Sequence, residues 1–293
     1  RKITLTMIKK IISLLLILIS LNIKAQTQVD DLKILSWNIY MLPGITNLSK
    51  DIKKSDKRGR ATEIAEMANK SNYDIIVFQE AFFGPARKVL SNGIKETFPY
   101  QYGPFNPSKA SLKTSSGVFI VSKIPLKVLD VVKYKACNGA DCFAKKGAAL
   151  LEGYYNGNRF QILGTHLNAG GPQWIRKEQY KQMRTLLDEF KLLNVPQIVC
   201  GDMNTHKEDT AYYNEMIEML GVEDIVTQSA QKSTTAKIRK EKTVIDYIFL
   251  RKNGTNIHAT NKEVLWFKSP VERTAKLNGN LSDHLSIFAS FKW

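Results

Sequence analysis

Asn156-Gly157 lies between two apolar runs, Ala148–Tyr155 and Arg159–Gly164. An Asn-Gly pair supplies the two positive-φ residues of a type I′ turn, so the runs are expected to pair as an antiparallel hairpin. The other apolar runs are just as short: Leu32–Trp37, Tyr73–Phe78, Gly117–Ser122, Gln197–Cys200, Thr243–Leu250 and Leu285–Phe291. Helical spacing of apolar residues reads at Ala61–Asn69, Trp174–Leu193 and Tyr212–Leu220. No repeat or low-complexity linker interrupts the pattern. Many short strands and few helices imply two packed sheets with helices outside them, an α/β sandwich. A 43% apolar content excludes a disordered chain, and 17 Gly with 9 Pro exclude a collagen-like or proline-rich filament.

The amino end stands apart from this pattern. Met7-Ile-Lys-Lys is a short basic start, Ile11–Leu21 is apolar except for Ser13 and Ser20, and Ala25 offers a small residue at a cleavage point. That is the three-part form of a secretory signal peptide over residues 1–25, leaving 26–293 as one domain. The apolar run is short for a span of about 20 residues, and an uncleaved anchor is the alternative. No cysteine near Ala25 suggests a lipoprotein. The expected location is therefore secreted or periplasmic. Lys+Arg 43 against Asp+Glu 27 gives +16; five of the basic residues lie in 1–25 with no acid, so the remainder keeps +11. A polyanion or an anionic membrane surface fits that excess.

Export gives the three cysteines a meaning. Cys137 and Cys142 flank Asn-Gly-Ala-Asp, a turn-rich stretch that brings a disulfide within reach. Cys200 sits in an apolar strand and reads as a buried free thiol. Without a CxxC pair or two His at helical spacing, a zinc site is disfavoured.

The chemistry shows in where polar residues meet the strands. Leu32–Trp37 runs into Asn38, Tyr73–Phe78 into Gln79-Glu80, Arg159–Gly164 into Thr165-His166, and Gln197–Cys200 into Gly201-Asp202-Met203-Asn204. Asp246 lies early in a later strand, and Asp283-His284 precede another. Antiparallel neighbours bring strand ends and strand beginnings to one edge, so these side chains can meet in a single cleft. Singly, each is an ordinary turn or cap residue. Carboxylates with Asn oxygens, and no thiolate cluster, favour a hard cation such as Mg²⁺, with Mn²⁺ or Co²⁺ as substitutes. Two histidines beside such a cation suit hydrolysis of a phosphate ester. A Walker loop and a G-x-S-x-G elbow are both absent.

In order, Ser-Trp-Asn38, Phe-Gln-Glu80, Gly-Thr-His166, Gly-Asp202-Met-Asn204, Ile-Asp246-Tyr-Ile-Phe and Ser-Asp283-His284 resemble the motifs of the endonuclease/exonuclease/phosphatase superfamily, from about Leu32 to Trp293. The resemblance implies a DNase I-like four-layer α/β/β/α sandwich of two mostly antiparallel mixed sheets. It implies Glu80 as metal ligand with Asn38 close by and Asp283 on the metal side. It further implies His284 as general base oriented by Asp246, Asp202 and Asn204 holding phosphate and water, and His166 at the phosphoryl charge or leaving group.

Two segments resemble the secreted bacterial sphingomyelinase branch: Cys137-Asn-Gly-Ala-Asp-Cys142-Phe-Ala-Lys-Lys-Gly147, and Val264-Leu-Trp266-Phe267. By that resemblance the substrate is a membrane sphingophospholipid and the enzyme a monomer, with no nucleic-acid partner. Trp266 and Phe267 would form an exposed membrane-docking tip, polar residues on either side confining the apolar run. A core strand is the alternative. An exported nuclease is the competing function, favoured by the +11 charge, and a non-catalytic lipid- or nucleic-acid-binding module is a third reading.

Overall fold

The computed structural model describes residues 30–43, 56–107, 113–229, 231, 233–236, 242–270 and 277–293; the expected signal peptide lies outside them. The architecture is that of the unit Asp31–Trp293. In chain order its first strands are β1 (Leu32–Met41), β2 (Ile75–Ala81), β3 (Tyr100–Tyr102), β4 (Phe119–Ser122), β5 (Leu126–Lys133) and β6 (Gly147–Tyr155). The rest are β7 (Asn158–His166), β8 (Gln197–Asp202), β9 (Glu223–Asp224), β10 (Asp246–Arg251), β11 (His258–Leu265) and β12 (Ser286–Lys292). Four α-helices are described: α1 (Lys57–Lys70), α2 (Gly84–Ile94), α3 (Gln173–Glu189) and α4 (Thr210–Leu220).

The hairpin forms where the Asn-Gly pair places it. Asn156 (φ 48°) and Gly157 (φ 81°) join β6 to β7, with Tyr155 opposite Asn158. Each sheet has six strands, ordered β11-β12-β1-β2-β4-β3 and β5-β6-β7-β8-β10-β9. Parallel pairing occurs between β1 and β2, with α1 in the connection, and between β7 and β8, with α3 in the connection. All other pairs are antiparallel. The sheets are therefore mixed and mainly antiparallel.

Period-2 alternation sorts the strand side chains between three cores. Ile34, Val77, Ile120, Ile162, Cys200, Ile248 and Ile287 pack between the sheets. On the outer face of the first sheet, Leu35, Trp37, Ile76 and Phe78 pack with Ala61, Ile64 and Ala68 of α1 and Leu90 and Ile94 of α2. On the second sheet, Leu163, Val199 and Phe249 pack with Tyr180 and Met183 of α3 and Met216 and Leu220 of α4. Those are the four expected layers. No helix among the described residues is long and apolar enough to cross a membrane.

Sequence reading did not identify α2, β3, β5, β9 or β11. β5 lies on a sheet edge with only Leu126 buried, so it carries no apolar period, whereas α2 buries Ala86, Leu90 and Ile94 at every fourth position, a helical period that was present in the sequence. A disulfide joins Cys137 and Cys142 across a 3₁₀ turn, with Cα atoms 5.3 Å apart, while Cys200 is free and buried. Burial pushes the Cys200 thiol well above its usual range, so it is inert. Mass-spectrometric thiol counting on the denatured, unreduced protein should find one thiol, unreactive while the chain is folded; three thiols would exclude the bridge.

Candidate active site

Where the two sheets end together, the residues facing between them change from apolar to polar. In β1 the inward series Ile34, Ser36, Asn38 ends in a buried amide, and in β8 Ile198, Cys200, Asp202 ends in a buried carboxylate. In β7 the series Ile162, Gly164, His166 ends in an imidazole, and β10 begins with Asp246 below Ile248. Register then fixes the neighbours. Asp202 stands opposite Asp246 in the antiparallel pair and beside His166 in the parallel pair. At the end of β2 the backbone turns to φ 56° at Glu80, an unusual conformation for a residue with a Cβ. Such outliers cluster at functional sites.

Asn38 bridges the carboxylates. Its Nδ2 donates to Glu80 Oε1 at 3.2 Å and to Asp202 Oδ2 at 3.0 Å. Its Oδ1 accepts from the Tyr40 amide at 3.1 Å, which turns the nitrogen rather than the oxygen toward the two acids. Asp246 Oδ2 lies 2.9 Å from His284 Nδ1 in full burial. The other ring nitrogen, Nε2, is 3.8 Å from Asp202 Oδ2, which exceeds a direct hydrogen bond and admits a bridging water. His166 Nε2 lies 3.6 Å from Asp202 Oδ2 on its other side. Asn204, at φ 47°, donates its backbone N–H to Asp202 Oδ1 at 3.0 Å and its Nδ2 to Leu167 O. Asp283 is buried close enough to Glu80 to affect its charge. The structure thus brings all eight expected residues together where the two sheets end.

Electrostatics there are set by burial and crowding. Burial, then Asp283, pushes Glu80 up to about 7 against the opposing pull of His284, Lys146 and Asn38. Burial and Asp246 push Asp202 up to about 6. Burial alone would lower His284, but Asp246, Asp283 and Asp202 outweigh it and raise the imidazole to about 10. A site with several carboxylates competing for few protons is short of positive charge.

A hard cation fits that deficit. Glu80 Oε2 is out of contact with solvent and has no hydrogen-bond partner among the described residues, and the same holds for Asp246 Oδ1. Asp202, Asp246 and His284 each offer a ligand atom within 4.8 Å of one another. In that trio His284 Nδ1 and Asp246 Oδ2 already satisfy each other, so the free carboxylate oxygen of Glu80 is the better anionic anchor.

Two participants were missed in the sequence. Lys146 is buried, with Nζ 3.1 Å from His166 Nε2, 2.8 Å from Leu167 O and 2.8 Å from Asp141 Oδ1. Arg60, fully buried on α1, donates to Ile39 O, Tyr40 O and Leu281 O at 2.8, 2.6 and 2.7 Å. It thereby ties the tail of β1, beyond Asn38, to the segment that leads into Ser282-Asp283-His284, and Ser282 Oγ closes the same seam on Asn38 O at 2.6 Å. The available signal was a charged residue beside Ala61 and Ile64 on a helix whose opposite face could have held it. Arg60→Met should cost about 2–4 kcal/mol of stability in denaturant unfolding, because three buried carbonyls lose their donor.

The expected two-residue tip is corrected for Phe267. Its ring lies 5.2 Å from that of Trp37, and its carbonyl accepts from Leu281 N, so it is half-buried against the outer-face core of the first sheet. Val264 and Leu265 lie on edge strand β11, the strand alternative, while Trp266 is 37% exposed with Lys268 Nζ 4.6 Å above its ring. An apolar run cannot by itself say which of its members turns inward; the partner, Trp37, comes from the far end of the sequence.

Residues 35–284 match the model of the Endonuclease/Exonuclease/phosphatase family. The chain belongs to that family. A sphingomyelinase C of Leptospira interrogans is 31% identical over 255 residues, covering 76% of this chain and 44% of that protein. A phospholipase C of Staphylococcus aureus is 28% identical over 261 residues, covering 78% of this chain and 77% of that one. This chain spans less than half the length of the Leptospira relatives. Among solved structures, SmcL superposes with a TM-score of 0.76 at 24% identity, covering 89% of this chain and 99% of SmcL. A Staphylococcus aureus beta toxin mutant with bound magnesium ions superposes at 0.73 with 23% identity, covering 89% and 99%. These share the fold, the DNase I-like sandwich expected from the motifs.

Proposed function

We propose that the chain is an exported, Mg²⁺-dependent phosphodiesterase of the phospholipase C type that hydrolyses a sphingophospholipid such as sphingomyelin to ceramide and the phosphorylated head group. The observation that carries it is the buried Asp246–His284 pair facing Asp202 across 3.8 Å, with the unpartnered oxygen of Glu80 nearby. The names of the curated relatives support the lipid substrate.

Glu80, with Asp283 beside it, would hold the cation, which when bound polarises a phosphoryl oxygen. Asp246 accepts the Nδ1–H of His284 and fixes the tautomer; the three carboxylates keep the ring protonated in the metal-free site, so Nε2 takes a proton from water only once their charge is neutralised. Asp202 and Asn204 hold that water and the phosphate in line. His166, next to the Lys146 ammonium, faces the charge that develops on the phosphoryl and leaving oxygens.

A nuclease of the same fold remains the second reading, favoured by the +11 charge outside residues 1–25. A panel of sphingomyelin, its phosphoethanolamine analogue, phosphatidylcholine and fluorescent DNA, each with Mg²⁺ and with chelator, tests both. Chelator-sensitive release of a phosphorylated head group from the sphingolipids is expected; DNA cleavage alone would overturn the lipid reading. Trp266 would touch the membrane. Trp266→Ala should lower hydrolysis of vesicle-borne lipid several-fold more than that of a soluble analogue, with a modest fall in Tm because its Nε1 also donates to Asn280 Oδ1. Phe267→Ala should instead cost about 1–3 kcal/mol of stability.

A further inference from the structure

Beside the disulfide loop lies a cavity of about 160 Å³. Lys113, Lys133, Lys135 and Lys146 all line it, and Asp141 is the one acid that does so among the described residues. Asp141 is already committed to Lys146 at 2.8 Å. Lys133 and Lys135 are exposed and have no ion-pair partner among the described residues. They stand two residues apart on either side of Tyr134, whose hydroxyl is anchored inward on Thr165, so both ammonium stems leave a fixed piece of backbone.

The opposite wall is equally fixed. The Cys137–Cys142 bridge closes it, Asn138 N donates to Asn168 Oδ1 at 2.9 Å, and Ala169 N donates to Asp141 Oδ2. Buried Gln179 ties the same wall to α3 through Ala136 O and Asn168 N. Several ammonium groups around one concavity repel each other, and walls that cannot move apart keep that repulsion in place. An anion in the cavity turns it into attraction, and the rigid walls lower the ordering cost of binding. The four lysines line a single hollow rather than running in a row, which suits one compact multivalent anion and not a nucleic-acid backbone.

We propose that this cavity is an anion site for a phosphate group, carried either by free phosphate or by an anionic lipid head group. The catalytic cleft lies next to it, because Lys146, which lines the cavity, also reaches His166. Binding there requires no turnover, so it stands or falls separately from the proposed hydrolysis.

The test is calorimetric titration with inorganic phosphate in chelator, comparing the wild type with Lys133→Gln/Lys135→Gln. A second double variant, Lys88→Gln/Lys127→Gln, removes the same net charge from exposed positions outside the cavity. Phosphate affinity should fall about tenfold or more in the first variant, in keeping with the loss of charged hydrogen bonds, and stay within about twofold in the second. Co-sedimentation with neutral choline-lipid vesicles, with and without phosphatidylglycerol, separates the sources. If the first variant alone loses the gain from anionic lipid, and phosphate competes that gain away in the wild type, the occupant is a lipid head group. If vesicle binding is the same in both variants while phosphate affinity falls in the first, the occupant is soluble phosphate. No saturable phosphate binding by the wild type, or equal losses in the two variants, would overturn the site.

Discussion

His284→Ala should lower kcat on a phosphodiester substrate by about 10²–10⁴, the range for a positioned general base. Nε2 is the one ring atom left to take a proton, since Nδ1 is held by Asp246 at 2.9 Å. Asp246→Asn should cost less, because the imidazole remains, but it should shift the pH–rate profile. The same substitution has a stability signature. His284 rises from about 6.5 to about 10 on folding because three carboxylates surround it, although burial opposes them. A raised folded value means a contribution that is fully present below pH 6.5 and lost as the pH climbs through about 10. In chelator, the Tm gap between wild type and His284→Ala should therefore be widest below pH 6.5 and close by pH 10–11. An unchanged kcat would remove His284 as the base. A gap that grows toward pH 10 would mean that the imidazole is buried neutral.

Much of this site could be read from the order of residues along short strands. A buried strand whose inward series runs Ile198, Cys200, Asp202 spends its last position on a carboxylate, and that is visible without coordinates. Convergence was legible for the same reason: strands of mixed direction bring ends and beginnings to one edge, as Asp202 and Asp246 do in register. What stayed hidden depends on contacts far apart in the chain. Arg60 looks like an exposed helix residue until three carbonyls from two distant segments are set around it. Phe267 looks like a lipid anchor until Trp37 is placed beneath it. Lys146 sits in a loop with no period at all, and only the disulfide turn and Leu167 make it a buried cation at the site. Asn38 was expected near the metal side; its place in the cleft was legible, but the direction of its amide was decided by the Tyr40 backbone, which the sequence does not display.

Glu80→Gln should abolish most activity at millimolar Mg²⁺ and regain part of it as the ion concentration is raised. The amide keeps the size and the hydrogen bond to Asn38 but removes the charge that a hard cation requires. The carboxylate is costly to the metal-free fold. Glu80 rises from about 4.5 to about 7 because burial and Asp283 disfavour its charge, so the folded state is penalised above pH 7 and not below pH 4.5. In chelator, Glu80→Gln should consequently raise Tm at pH 8 and leave it nearly unchanged near pH 4.5. Adding Mg²⁺ should reverse the order at pH 8, since the wild type then has one more carboxylate charge for the ion to neutralise than the variant has. Proton linkage follows from the same carboxylate. Wild-type Mg²⁺ affinity, read by calorimetry, should weaken by up to tenfold per pH unit below 7, and the variant should lack that limb. Full activity of Glu80→Gln in chelator would sink the metal assignment. Equal pH dependence of Mg²⁺ binding in the two proteins would move the anchoring charge to the Asp202, Asp246 and His284 group, the other set able to hold an ion.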